Sequence, residues 1–493
     1  MSGDLLISGS LYDRRPESSS PVQVKFVSRI SGADAPHEDL VNPTARTALG
    51  PLALVGAASL ALAIAGPLVE RPQLVLGLYL LAGVGWWWSI QRARRNGIPL
   101  RLVVVGAIVL RVLALASDLR SSDDVQRIAW EGAVVLEGLS PYAHTPDAPD
   151  VAALAARNPR LYGSVNHRDV AAAYPPLVQA VGVLTALTLR GRDEPELAGR
   201  IVRAAFGLAD LLVLVPLVFL LRRRGLPDGL AVVWGWSPLA AFEIAGSGHL
   251  EALALAPLLG AWAWSERARS RADHAGAAGL FALAVLAKLL PIVLLPWFLR
   301  GPRAVLRAAV VLAVVALGFA PFLVPAFGLS GTERGVLGGV SEYAFRWENS
   351  GLVHRFVEGA FALRWSPDLS WTDPRRLARA VLALLWLAWA WRTWRREKDP
   401  VRAALDLFGA WIVVTPVLHP WYALWIVPWL AFRDSRAFTW FACAAPLLFV
   451  PVVGWQSHGT WVEPAWIWPA LALPLALGLA LDAWRMHPRA TPT

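Results

Sequence analysis

The sequence predicts an all-α polytopic membrane protein, and three observations lead there. Of the 493 residues, 56% are hydrophobic and 17% charged, against about a quarter charged in soluble domains, and the mean hydropathy is +0.48. The apolar residues come in blocks: Leu52–Leu68, Leu102–Leu115, Leu208–Leu221, Leu253–Trp264, Val305–Leu323 and Ile467–Leu481 hold at most one charge each. Those lengths approach or reach the roughly 20 residues that cross a bilayer. The blocks show no period-two alternation. Of the two architectures that satisfy the backbone in lipid, helices are therefore expected rather than a β-barrel.

The elements follow from the charges. The net charge is +10 and the pI about 10.4, but the arginines sit in short clusters between apolar runs. That is the pattern of cytoplasmic loops, and no nucleic-acid partner is expected. The clusters are Arg92/Arg94/Arg95, Arg222–Arg224, Arg267/Arg269/Arg271, Arg300/Arg303/Arg307, Arg392/Arg395/Arg396/Lys398, Arg433/Arg436 and Arg485/Arg489. Placing them inside puts spans near 47–70, 74–91, 98–116, 199–221, 228–245, 248–265, 303–325, 376–394, 401–418, 420–433, 436–453 and 464–484. Residues 275–299 read as a broken hairpin around Lys288 and Pro291. The expected total is 12–14 transmembrane helices. Residues 1–46 and 486–493 are expected as cytoplasmic tails, the first disordered, with 47–485 as the membrane domain and 117–198 and 326–375 as external loops. Tyr174–Leu189 opens on Pro175-Pro176 and reads as a juxtamembrane or re-entrant helix, because a full span there would invert the arginine clusters that follow. The one cysteine, Cys443, excludes a disulfide within the chain.

This topology gathers unusual polar residues on the outer side. Asp123 and Asp124 directly follow a span. A carboxylate there can act as a general base, or it can cap the helix that begins at Val125; the sequence leaves both readings open. Glu243, His249 and Glu251 surround Gly246-Ser247-Gly248 between two apolar helices, and ionisable groups near membrane depth are functional candidates. The bland alternative is an exposed turn with solvated charges. Lys288, flanked by Ala287 and Leu289, can meet a phosphate as a point charge or snorkel to the interface. His419 precedes Pro420-Trp421-Tyr422 and reads as a ligand contact or as a plain interfacial histidine. Neither HExxH nor paired-cysteine spacing occurs, so no metal site is expected from motifs. Walker A, GxGxxG and D-x-D patterns are missing too, which argues against a nucleotide-sugar donor and for a membrane-borne one.

Taken in order, Ser122-Asp123-Asp124, Trp130-Glu131-Gly132, Gly138-x-Ser140-Pro141-Tyr142, Asn166-His167, Tyr174-Pro175-Pro176, Trp236-Ser237-Pro238-Leu239, Gly246-Ser247-Gly248-His249 and Ala287-Lys288-Leu289-Leu290-Pro291 resemble the GT-C superfamily of membrane glycosyltransferases. Within it they resemble the bacterial polyprenol-phosphate-mannose-dependent mannosyltransferase family, formerly a domain of unknown function. The resemblance covers about residues 98–430. It implies a GT-C-type fold with juxtamembrane helices in the first external loop and a catalytic Asp there. It also implies transfer of a hexose, mannose by family default, from a polyprenyl-phosphate donor to a glycolipid or glycan acceptor, with inversion, at the outer face of the cell inner (plasma) membrane. No cofactor is implied, a divalent metal being left open. Asp124 matches the general base, with Asp123 second. His249 and Lys288 match contacts to donor phosphate or sugar, and His167, Tyr174, Glu243, Glu251, His419 and Tyr422 complete the expected substrate-binding set. The chain departs from the pattern where many relatives have Tyr-Arg-Tyr, here Gln126-Arg127-Ile128, and where many have Asn-Asp, here Leu250-Glu251. These departures bear on the sugar and on the role of Glu251. The alternative is a transporter or flippase of a lipid-linked intermediate.

Overall fold

The apolar runs become helices. The computed structural model describes residues 43–119, 121–122, 124–323, 336–364 and 373–486. The chain opens with α1 (Pro43–Ile64), α2 (Pro72–Asn96), α3 (Leu100–Ala116) and α4 (Asp124–Leu136). The helices Pro176–Leu189, Pro195–Leu212, Leu214–Arg223, Glu251–Ser265, Arg271–Ala287 and Ala304–Leu323 follow, and then Pro374–Arg396, Pro400–Val414, Arg436–Ala444, Phe449–His458 and Ile467–Met486, with shorter helices between. Among the described residues the only β-type pairing is a pair of isolated bridges from Asn349 and Ser350 to Val417.

Val305 is 83% exposed and Leu312 72% exposed, and Leu317, Leu473 and Leu477 stand out in the same way. Facing water, such surface would drive association; facing acyl chains, it is the ordinary exterior of a membrane helix. Pro72–Asn96, Pro195–Arg223, Ala304–Leu323, Arg436–His458 and Ile467–Arg485 are long and apolar enough to cross a membrane, and the bent pair Asp228–Gly235 and Pro238–Gly246 makes a sixth. The protein is therefore an all-α polytopic membrane protein. Among the described residues that makes five, or six if the bent pair is one span, against the 12–14 expected from the sequence. α3, at 17 residues, falls short of the length, and Pro374–Arg396 carries six arginines. The span expected near 420–433 is instead two 3-10 turns, Pro420–Trp425 and Val427–Ala431, because Pro420 and Pro428 each remove a backbone donor. α1 begins at Pro43, inside the stretch expected as a tail.

The break at 235–238 shows how the bundle satisfies its backbone. Pro238 has no N–H to give the Trp234 carbonyl, and its ring disturbs the turn before it. Arg111 on α3 takes over: its Nη2 donates to the Trp234 carbonyl at 3.1 Å and its Nη1 to the Gly235 carbonyl. The same guanidinium grips Asp210 with Nε to Oδ2 at 2.8 Å and Nη2 to Oδ1 at 3.0 Å, and both side chains are buried.

The arginine clusters meet at one end of the bundle. Arg94 donates to the Leu430 carbonyl and pairs with Asp434, which also faces Arg485. Arg224 pairs with Glu266 and Asp399, Arg300 donates to the Glu397 carbonyl, Arg303 to the Arg269 carbonyl, and Arg433 pairs with Asp406. α3 leaves this basic end and, at 1.5 Å per residue, delivers the chain about 25 Å away. The Glu251, Lys288 and His419 ends of their helices lie opposite the basic ends in the same way. α4 crosses the Pro176–Leu189 helix at backbone contact. A Cβ on Gly132 would lie 1.9 Å from the Gly182 carbonyl carbon, and one on Gly182 would lie 2.3 Å from the Ile128 oxygen.

Candidate functional site

The far end of α3 hands directly to α4. Ser122 Oγ accepts from the Asp124 backbone N–H at 3.3 Å, which leaves the Asp124 carboxylate to point elsewhere. Its Oδ1 accepts from Asn166 Nδ2 at 3.1 Å and its Oδ2 from the Tyr174 hydroxyl at 3.0 Å. The capping alternative for Asp124 is thereby set aside: its oxygens serve residues 42 and 50 positions away. Asp123 lies outside the described residues. One turn along, buried Arg127 donates to Glu131 Oε1 at 2.9 Å and to the carbonyls of Asn166 and His167 at 3.2 and 2.8 Å. Gln179 closes the network on Glu131 Oε2 at 2.7 Å. Arg127 thus clamps the 166–167 loop to α4 and sets the Asn166 amide against Asp124.

Burial pushes the Asp124 carboxyl up. The charge of His249, the hydrogen bonds from Asn166 and Tyr174, and Arg127 outweigh it, so Asp124 is held below its ordinary value. Burial, and then the neighbouring Asp124, raise the Tyr174 phenol well above its ordinary value, so it stays the donor of that pair.

The second group comes from the helix break that follows Pro238. Ala241–Gly246 forms a π-type turn, Gly248 sits at φ +83°, and Glu251 opens the next helix. Only glycine suits position 248, where a Cβ would also meet Val125 Cγ1 at 2.1 Å. That contact seats the start of α4 against the turn and brings Asp124 beside His249. Glu243, His249 and Glu251 are all buried, so the turn is not a solvated surface. The Tyr79 hydroxyl, from α2, donates to Glu243 Oε1 at 3.1 Å. His249 Nδ1 lies 3.1 Å from both the Glu243 carbonyl oxygen and Oε2. The carbonyl is the hydrogen-bond partner and the carboxylate the charge partner. His249 Nε2 has no partner in the protein.

Lys288 ends the Arg271–Ala287 helix in extended conformation, as the sequence break there suggested. It does not snorkel. Its ammonium pairs with Glu251 and sits over the rings of Tyr422 and Trp425 at 5.1 and 5.9 Å. Trp421 is stacked between two imidazoles, His249 at 3.7 Å and His419 at 4.4 Å between centroids. With both faces covered, it is a spacer and not a platform for a ligand. His419 Nε2 lies 3.4 Å from Asn349 Nδ2, and its Nδ1 is unpartnered. The Tyr422 hydroxyl meets that of Tyr343.

Of the residues singled out in the sequence, Asp124, Tyr174, Glu243, His249, Glu251, Lys288, His419 and Tyr422 fall into one connected cluster. His167 stands at its edge. Held at φ +40°, it contacts Trp347 at 4.7 Å and Trp455 at 6.1 Å, and joins the cluster through Trp347 and Tyr343. Asn166, Arg127, Tyr79, Tyr343 and Trp421 had not been singled out as site residues. A usable signal existed for two of them: the chain has seven tyrosines, and Tyr79, Tyr174, Tyr343 and Tyr422 all turn inward here. Among the described residues, the grouping whose His and carboxylate ligand atoms converge well enough for a metal is Glu348, His354 and Glu358, outside this cluster.

No protein-family model, no curated protein and no solved structure matches this chain. What the cluster can do is therefore argued from its chemistry. It offers an ionised carboxylate oriented by two donors, two imidazoles with a free nitrogen each, and an ammonium shared with a carboxylate, all at the end of an apolar bundle.

Proposed function

We propose that the chain is a membrane glycosyltransferase of GT-C type that moves a hexose, mannose first among them, from a polyprenyl-phosphate donor to a glycolipid or glycan acceptor. The observation that carries the reading is the Asp124 carboxylate, turned away from its own helix and held between Asn166 and Tyr174 beside the unpartnered Nε2 of His249. In this reading the bundle lies in the plasma membrane. The cluster faces outward, and α4 with Pro176–Leu189 forms the juxtamembrane pair of the first external loop.

The donor enters sideways from the bilayer. Asp124 accepts the proton of the acceptor hydroxyl as that oxygen bonds to the anomeric carbon, on the face opposite the phosphate. The bond from that carbon to the phosphate oxygen breaks, and the polyprenyl phosphate leaves with the electron pair. His249 Nε2 and Lys288 meet its charge. A carboxylate below its ordinary pKa is a weak base, but it is fully ionised. It can also stabilise the positive charge of an oxocarbenium-like transition state. Sharing Lys288 with Glu251 tempers its grip on phosphate, which suits a group that must release product.

The test is transfer from radiolabelled polyprenyl-phosphate mannose to a lipid acceptor pool by the purified protein. Asp124→Asn is expected to lose about 10²–10⁴-fold in rate with unchanged yield and gel-filtration profile. Full activity in Asp124→Asn would refute the assignment. The transporter or flippase reading draws on the ionisable Arg111–Asp210 pair within the spans. Against it, Arg111 is committed to the Trp234 and Gly235 carbonyls. Translocation of a fluorescent lipid-linked sugar in vesicles, without transfer, would favour that reading.

A further inference from the structure

Glu348 lies in the short segment Trp347–Ser350, which is pinned to the chain before His419. The Asn349 N–H donates to the Pro416 carbonyl at 3.1 Å, and the Leu418 N–H to the Asn349 carbonyl at 2.9 Å. The helix His354–Ala362 begins four residues later. His354 and Glu358 sit one turn apart on it and so share a face. One ligand atom from each of Glu348, His354 and Glu358 lies within 4.8 Å of the other two. His354 is 3% exposed, and its Nε2 has no hydrogen-bond partner. Its Nδ1 stands 3.7 Å from Glu358 Oε2, too far for a hydrogen bond. The ring bonds the Arg375 backbone, so one nitrogen of a buried imidazole, Nε2, is left without a partner, on a ring beside two carboxylates.

We propose that Glu348, His354 and Glu358 bind a zinc ion, with water as the fourth ligand. Two carboxylates balance the charge of a dication, and one imidazole with two carboxylate oxygens is a donor set zinc accepts. Bond lengths of about 2.0–2.2 Å around a tetrahedral centre place ligand atoms roughly 3.3–3.5 Å apart, so the three groups must close by about 1 Å. Rotation of the glutamate side chains supplies that. Glu348 Oε1 accepts from Arg379 Nη2 at 2.7 Å. A second contact of this kind orients a carboxylate ligand, and Arg379 is also the group's rival, a cation already in place.

The ion would tie the His354–Ala362 helix to the Trp347–Ser350 segment. That segment supplies Asn349 to His419 and Trp347 to His167. The zinc is therefore a brace on one wall of the cluster and takes no part in the proposed transfer; its existence does not depend on that proposal.

The experiment uses the full-length protein in detergent, stripped with chelator, reloaded with zinc alone and desalted. Bound metal is then counted by mass spectrometry. One retained equivalent is expected, falling at least about tenfold in affinity in both His354→Ala and Glu358→Gln. X-ray absorption at the zinc edge should show one imidazole, oxygen ligands and no sulfur. No retained zinc in the wild type would overturn the proposal and leave Arg379 and Arg375 as counter-charges to Glu348. Undiminished zinc in both variants would also overturn it, as an adventitious ion only. Should His354→Ala fail to fold, Glu358→Gln and the wild-type absorption spectrum decide.

Discussion

The two ends of this bundle use the same charged groups to different purposes. At the basic end, Arg94, Arg485 and Asp434 are partly open to solvent, with Arg485 and Asp434 at 49% and 40% exposure. At the other end, Glu243, His249 and Glu251 are buried. Charges reachable by water interact weakly and are screened, whereas buried ones need partners placed to a few tenths of an ångström. The basic end therefore tolerates approximate pairing, and its information lies in the number and side of its arginines. The site end depends on geometry: which nitrogen faces which oxygen, and which nitrogen is left over.

Arg111→Met is the largest expected break of this comparison. It leaves Asp210 buried without a counter-charge and takes the arginine donor from the Gly235 carbonyl, so a loss on the order of 3–5 kcal/mol is expected, read as a drop in thermal midpoint in detergent. The pair Arg111→Met with Asp210→Leu should recover part of it. A loss no larger than that of a surface arginine would undo the claim that buried charge behaves differently here. Gly182→Leu should come next. It forces α4 away from the Pro176–Leu189 helix, with an overpacking cost of about 1–3 kcal/mol, and separates Asp124 from Tyr174, so activity should fall more than stability does.

Tyr174→Phe sharpens the comparison through pH. Tyr174 is one of the groups that hold the Asp124 carboxyl low, so removing its hydroxyl moves that carboxyl up, and the acid limb of the rate profile moves to higher pH. In the folded wild type the lowered value contributes stability above the ordinary carboxylate range, and this is lost as pH falls through the lowered value. An unmoved acid limb in Tyr174→Phe would mean that Asp124 does not set it. The smallest effect is expected at the basic end. Asp434→Ala removes the partner of both Arg94 and Arg485, yet should cost no more than about 1 kcal/mol and leave transfer unchanged.

What could be read from the sequence divides along the same line. Apolar runs, arginine clusters and the break at Lys288 and Pro291 are local patterns, and local patterns survive in one dimension. The pairing of Tyr79 with Glu243 spans 164 residues, and no local spacing announces it. Arg127 and Glu131 look like an ordinary surface pair one helical turn apart, yet both are buried, and Arg127 holds the 166–167 loop while Glu131 holds Gln179. Asp124 had the context of a cap, and Ser122 relieved it of that duty. Trp421 carried no reading of its own in the sequence and is the filling between two histidines. Spans were over-counted near 420–433, where hydropathy registers burial and misses that the prolines stop an α-helix.

The grip of Arg111 on Asp210 and on the Trp234 and Gly235 carbonyls beside Pro238 has a consequence for descent. The three positions come from three separate stretches of chain, yet they form one heritable unit. A lineage that restores a straight helix at 238 no longer needs the arginine at 111, and one that loses Asp210 can no longer tolerate it. Relatives should therefore carry all three or replace all three. Any sequence found with two of them marks a form caught between two solutions, carrying a charge with nowhere to go.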